Sequence, residues 1–157
     1  MKISEVMTAN AEVVSPDDTI REAAKMMDDL NVGALPVCDG KRLVGMITDR
    51  DITVRATSVG KAPDACKVKE VMTAEVEYCW ADDTVEEVAQ RMSARQIRRL
   101  PVIGADRRLV GIVSLGDLAT GADDHETVAD TVERISEPAA PDRSMTYAGG
   151  KKTRPTI

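Results

Sequence analysis

Three observations predict an α/β fold made of two copies of one small unit. The chain repeats itself: Lys2, Glu5, Val6, Met7, Thr8 and Ala9 return 65 positions later as Lys67, Glu70, Val71, Met72, Thr73 and Ala74. Within each copy, one stretch with apolar residues at helical spacing is followed by two short apolar runs split by turn residues. The length of 157 residues and an apolar content of 43% suit one compact domain or two intimate half-domains. A period this long marks two copies of a folding unit and not a solenoid of short repeats. Two such units are expected to pack about a pseudo-two-fold axis, leaving a cleft with two related sites.

The elements follow in order as strand, helix, strand, strand, helix (β-α-β-β-α) in each copy. Extended stretches at 11–15 and 76–80 lead into Asp17-Asp18-Thr19 and Asp82-Asp83-Thr84. Thr19 with Glu22, and Thr84 with Glu87, have the capping-box spacing in which hydroxyl and carboxylate satisfy first-turn amides. Ile20, Ala23, Ala24, Met27 and Leu30 then form a helical stripe, matched by Val85, Val88, Ala89 and Met92. Leu35 to Cys38 and Leu43 to Thr48, split by Asp39-Gly40, read as a hairpin. Leu100 to Ile103 and Leu109 to Ser114 match it, with one residue added between them. A second helix is expected at 49–56 and from Leu115 onward. The predicted organisation is repeat 1 over 2–57, a linker over 58–66, repeat 2 over 67–121, a C-terminal helix over 122–136 and a flexible tail over 137–157. In the C-terminal helix, Val128, Val132 and Ile135 share one face.

Composition removes several function classes. A net charge of −6 and the lack of aromatics (no Phe, one Trp, two Tyr) argue against nucleic acid, which asks for a basic face and stacking rings. The first residues hold no apolar run long enough for a signal peptide or a membrane span, which predicts a cytoplasmic protein with no membrane partner. Cys38, Cys66 and Cys79 lack CxxC spacing and His125 is the only histidine. These thiols read as reduced packing residues, with a redox- or metal-responsive switch as the rival reading. The methionines Met27 and Met92 read as core. Tyr78 and Trp80 stand where the first copy has Val13 and Ser15, and serve either to cover a ligand face or to pack the rim.

The duplicated chemistry lies in Gly45-Met46-Ile47-Thr48-Asp49-Arg50-Asp51 and Gly111-Ile112-Val113-Ser114-Leu115-Gly116-Asp117. Each sets a hydroxyl at the end of an apolar strand and an aspartate three residues on, at a helix start. One reading is capping, since Thr48 and Ser114 are good N-cap residues and acids favour a first turn. The other is recognition: a carboxylate accepts hydrogen bonds from the vicinal hydroxyls of a ribose. Repetition of the pair, in register with both Leu-Pro steps, favours recognition. Asp51 and Asp117 fall at corresponding places in different copies, so they do not read as a catalytic carboxylate pair, and no catalytic residues are predicted.

On these motifs the chain resembles the tandem CBS-domain family over residues 2–120, and most closely small stand-alone bacterial two-CBS proteins of the hypoxic-response type. The resemblance implies a regulatory module, not an enzyme, that binds an adenosine-containing ligand (AMP, ADP, ATP, NAD or S-adenosylmethionine) between its repeats. It implies ribose positions at Asp51 and Asp117 with Thr48 and Ser114 as hydroxyl partners. Thr8 and Thr73 would lie near base or phosphate, and Leu35-Pro36 and Leu100-Pro101 would wall the adenine. Residues just before the Leu-Pro step contact phosphate in related nucleotide sensors, which makes Arg98 and Arg99 candidate phosphate clamps. Arg50 stands where the second copy has Gly116 and would add a cation to one site. A homodimer and a regulated protein partner are the implied assemblies. A ligand-free dimerisation scaffold is a further rival.

Overall fold

The computed structural model describes residues 1–121, 125–137, 146–148 and 151–153. Helix α2 (Ile20–Leu30) and helix α5 (Val85–Arg95) are the long helices of the two copies, each started by the expected capping box. Thr19 Oγ1 accepts from the Glu22 amide at 3.2 Å while Glu22 accepts from the Thr19 amide at 2.8 Å. Thr84 and Glu87 repeat the exchange at 3.2 and 3.0 Å. Strands β2 (Ala34–Asp39) and β3 (Arg42–Thr48) form the first hairpin, and β5 (Arg99–Ile103) and β6 (Leu109–Ser114) the second. Both are antiparallel, with Ala34 opposite Thr48 and Arg99 opposite Ser114.

The folded unit is offset from the sequence repeat. Residues at the start of each copy pack on the other copy. Short helix α1 (Ile3–Val6) delivers Ile3, fully buried, into a core with Val85, Val88, Met92, Leu100 and Leu118 of the second copy. Strand β1 (Thr8–Ala9) then adds to β6, with Thr8 opposite Ile112. In return, α4 (Val68–Val71) places Val68 and Val71 in the first-copy core beside Ile20, Leu35 and Ile47, and Thr73 bridges Met46. The exchange needs Gly45 and Gly111. A Cβ on either would lie 2.6 Å from the carbonyl oxygen of Thr73 or Thr8, so only glycine lets the crossing backbones approach.

Local structure departs from expectation in three places. The stretch 11–15 reaches the sheet only through a parallel bridge of Val14 to Val37, whereas its counterpart ends in a true strand, β4 (Cys79–Trp80), parallel to β5. The helix expected at 49–56 is a three-residue α-helix, α3 (Asp49–Asp51), running into a π-helical turn at Ile52–Ala56. Its counterpart, α6 (Leu115–Gly121), is a regular α-helix. The linker is no free tether, because Cys66 is buried in the first core and its carbonyl accepts from the Ile20 amide at 2.9 Å.

Helix α7 (His125–Ser136) packs on α5 and buries Val128 and Ile135, while Val132 stays 39% exposed. The tail expectation for 137–157 falls mostly outside the described residues. Within that stretch, β7 (Thr146–Ala148) and β8 (Lys151–Thr153) pair antiparallel. No helix among the described residues is long and apolar enough to cross a membrane.

Candidate functional site

Both hydroxyl–aspartate pairs act as reciprocal caps. The Thr48 amide donates to Asp51 Oδ2 at 3.0 Å, and the Asp51 amide donates back to Thr48 Oγ1 at 3.0 Å. In the second copy, the Ser114 amide and hydroxyl both donate to Asp117 Oδ2, at 2.7 and 2.8 Å, and the Asp117 amide donates to Ser114 Oγ at 3.1 Å. Capping therefore consumes one oxygen of each carboxylate. Asp117 Oδ1 has no hydrogen bond or ion pair among the described residues.

Asp117 opens into a cavity of about 300 Å³ between the copies. Its second-copy lining is Arg99, Ile112, Ser114 and Asp117, and its first-copy lining includes Thr8, Glu12, Leu30, Val32, Leu35 and Pro36. The volume is at the lower end for a small-molecule site. Leu30, Val32, Leu35 and Pro36 make an apolar wall on the first-copy side, while the Thr8 and Ser114 hydroxyls, the Glu12 and Asp117 carboxylates and the Arg99 guanidinium supply the polar groups. Arg99 is exposed at the start of β5 and makes no ion pair among the described residues. A larger concavity of about 710 Å³ lies where the hairpin tips meet, lined by Asp39, Lys41, Arg42, Asp106, Arg107 and Arg108. All six are exposed, so it lacks an apolar wall for a ring.

Of the residues singled out from the sequence, Thr8, Leu35, Pro36, Arg99, Ser114 and Asp117 come together in this cavity. Thr48, Asp51, Thr73, Leu100 and Pro101, their counterparts in the repeat, do not line this cavity. Thr73 and Met46 exchange backbone hydrogen bonds at 2.9 and 3.0 Å, and Leu100 sits in the second core. Arg50 and Arg98 are exposed and outside the cavity lining, the Arg98 carbonyl accepting from the Leu115 amide at 2.8 Å. Trp80 stacks edge-on to Tyr78 with ring centroids 5.9 Å apart, away from Asp117, in a separate depression with Arg91.

Sequence reasoning missed Glu12, Leu30 and Val32. Leu30 had read as core but is 42% exposed and faces the cavity, as does Val32 at 39%. For Leu30 the available signal was the mismatch with the second copy, where Arg95 stands, whereas Glu12 and Val32 match Glu77 and Ile97 in kind and gave none.

The thiols are separated and inert in character. Cys66 lies in the first core and Cys79 in the second, and Cys38 is buried on β2. Burial raises the pKa of all three, that of Cys79 to about 12. Among the described residues, no group of three or more His, Cys, Asp or Glu side chains could hold a metal ion.

Comparison with known proteins gives this geometry its family. The CBS domain profile matches residues 3–56 and again 68–124. CBS domain-containing protein YhcV of Bacillus subtilis is 41% identical over 134 residues, covering 85% of this chain and 94% of YhcV. Among solved structures, hypoxic response protein I with two coordinated zinc ions superposes with a TM-score of 0.71 at 35% identity, covering 77% of this chain and 98% of that one. The CBS domain pair of protein MJ0100, in complex with methylthioadenosine and S-adenosyl-L-methionine, gives 0.67 at 32% identity, covering 76% and 97%. CBSX2 in complex with AMP gives 0.65 at 26% identity, covering 75% and 93%. Two matched repeats, a mixed α/β architecture and stand-alone relatives matched over nearly their whole length place this chain in the CBS-domain family, as a tandem pair.

Proposed function

We propose that the protein is a regulatory sensor that binds an adenosine-containing small molecule in the Asp117 cavity. The observation that carries this reading is Asp117, whose Oδ2 is held by its own cap and whose Oδ1 is left without a protein partner among the described residues, lining a cavity walled by Leu35 and Pro36 of the other copy. A fixed carboxylate oxygen suits a ribose diol, because charge-assisted hydrogen bonds need no reorganisation when the acceptor is already oriented. The apolar wall suits a purine ring, and Arg99 suits a 5′-phosphate. The adenosine ligands of MJ0100 and CBSX2 support the same class here.

Such a ligand touches both copies at once, so binding favours one relative arrangement of the two units. That population shift would change the face offered to a second copy or to a regulated protein. The reading includes a cytoplasmic homodimer and a non-catalytic role. Affinity should be micromolar, about −8 kcal/mol. The thiol-switch rival has less support, since the three thiols are buried apart and held protonated. Mass spectrometry of small molecules released from the purified protein, followed by calorimetry with each, tests the proposal. An adenosine compound at stoichiometric level is expected. A protein that neither carries nor binds any of adenosine, AMP, ATP, NAD and S-adenosylmethionine refutes it.

A further inference from the structure

The two aspartates are chemically unequal, although the sequence repeat makes them look alike. Where Asp117 keeps a free oxygen, Asp51 Oδ1 faces the guanidinium of Arg55, whose Nε lies 3.9 Å away. The same guanidinium donates through Nη1 to the carbonyls of Val71 and Met72, both at 3.1 Å. Arg55 thus spans from the carboxylate to the backbone that leads into Thr73. Its position is set by the π-helical turn Ile52–Ala56, which begins immediately after Asp51.

The second copy cannot repeat this arrangement. The counterpart of Arg55 is Gly121, and a Cβ there would lie 2.9 Å from Val6 Cγ1. Val6 is itself the counterpart of Val71. No side chain from that position can reach Asp117. A second ion pair repeats the contrast: Arg95 Nε lies 3.5 Å from Glu77 Oε1, and the counterparts of these two residues are Leu30 and Glu12, which line the open cavity. At 3.9 Å the Arg55–Asp51 contact is an ion pair and longer than a hydrogen bond, and it sets a cation before the oxygen that a ribose diol would use.

We propose that Arg55 occupies the Asp51 half of the cleft as a built-in substitute for ligand, so that the chain binds one adenosine molecule and not two. The inference rests on the reading of the Asp117 cavity given above. A ligand entering at Asp51 must compete with Arg55 for Oδ1, whereas at Asp117 no protein cation forms an ion pair with the carboxylate among the described residues.

Equilibrium dialysis with adenosine, AMP, ATP, NAD and S-adenosylmethionine, each quantified per chain at saturation, tests it. The wild type should bind one molecule per chain, and Asp117→Asn should weaken that site, leaving none of wild-type affinity. Arg55→Ala should raise the count to two, and in Arg55→Ala with Asp117→Asn only the Asp51 site should keep its affinity, the other being weakened as in Asp117→Asn alone. If Arg55→Ala does not fold, Arg55→Gln takes its place, and the wild-type and Asp117→Asn counts decide regardless. Two molecules per wild-type chain, one molecule bound with wild-type affinity in Asp117→Asn, or a folded Arg55 variant that still binds only one would each overturn the inference while leaving the sensor reading intact. No binding by any variant removes the sensor reading, and this inference with it.

Discussion

Replacing Asp117 by Asn and by Ala separates the two tasks of this carboxylate. Oδ2 accepts from the Ser114 amide and hydroxyl, Oδ1 has no protein partner among the described residues, and Asp117 lines the cavity. Asn keeps an acceptor for the cap and removes the charge, so the fold should survive with a stability loss of about 1 kcal/mol or less. A hydrogen bond to a charged group contributes roughly 1.5–3 kcal/mol against roughly 0.5–1.5 for a neutral one. The difference of about 1–2 kcal/mol corresponds to roughly 5- to 30-fold weaker binding. Ala removes the contact altogether, which predicts roughly ten- to a hundredfold weaker binding. It also exposes the Ser114 amide, a cap loss of about 0.5–2 kcal/mol. Calorimetry with AMP gives the first set of numbers and urea denaturation the second. Equal affinity for AMP in wild type, Asn and Ala proteins would show that Asp117 is a cap and nothing more.

Three further outcomes are expected. Ile3→Ala should destabilise the protein by about 2–5 kcal/mol although Ile3 lies near the chain start, because it fills the second-copy core; a denaturation midpoint unchanged from wild type would show that the exchanged segment does not pack there. Arg99→Ala should weaken AMP binding by roughly tenfold or more while changing adenosine affinity less than about twofold, and an equal loss for both ligands would mean that Arg99 does not meet phosphate. Burial holds Cys79 protonated up to about 12, whereas an unfolded thiol ionises near ~8.5. Above that lower value the unfolded chain has released protons that the folded chain keeps, so stability should fall as pH rises toward 12. Replacing Cys38, Cys66 and Cys79 by Ala should flatten the decline between pH 8 and 10, and an equally steep decline in the triple variant would assign it to other groups.

The wild-type thiols bear on the rival reading too. Zinc is held by hypoxic response protein I, yet in this chain Cys66 and Cys79 belong to different cores. A metal bridging them would require both cores to open. That physical separation, and not the count of cysteines, weighs against a thiol-based switch.

The sequence by itself determined the duplication, the class of the elements and the chemistry that each copy carries. These are local or periodic properties. A capping box is written within four residues, a hairpin within about a dozen, and repetition of Thr48–Asp51 as Ser114–Asp117 is visible by alignment of the chain with itself. Only the tertiary structure decided which residues share a site. Thr8 reaches Ser114 and Asp117 because the leading segments change places, and nothing local to residues 1–9 specifies whose core will take Ile3. Leu30 belongs to the apolar stripe of its helix yet lines a cavity, since periodicity reports a helical face and not what that face meets. The inequality of Asp51 and Asp117 was likewise hidden. It depends on a π-helical turn that phases Arg55 toward one carboxylate, and on Val6 packed against Gly121 beside the other. Side-chain reach is set by three-dimensional packing, and a repeat in sequence carries no guarantee of a repeat in function.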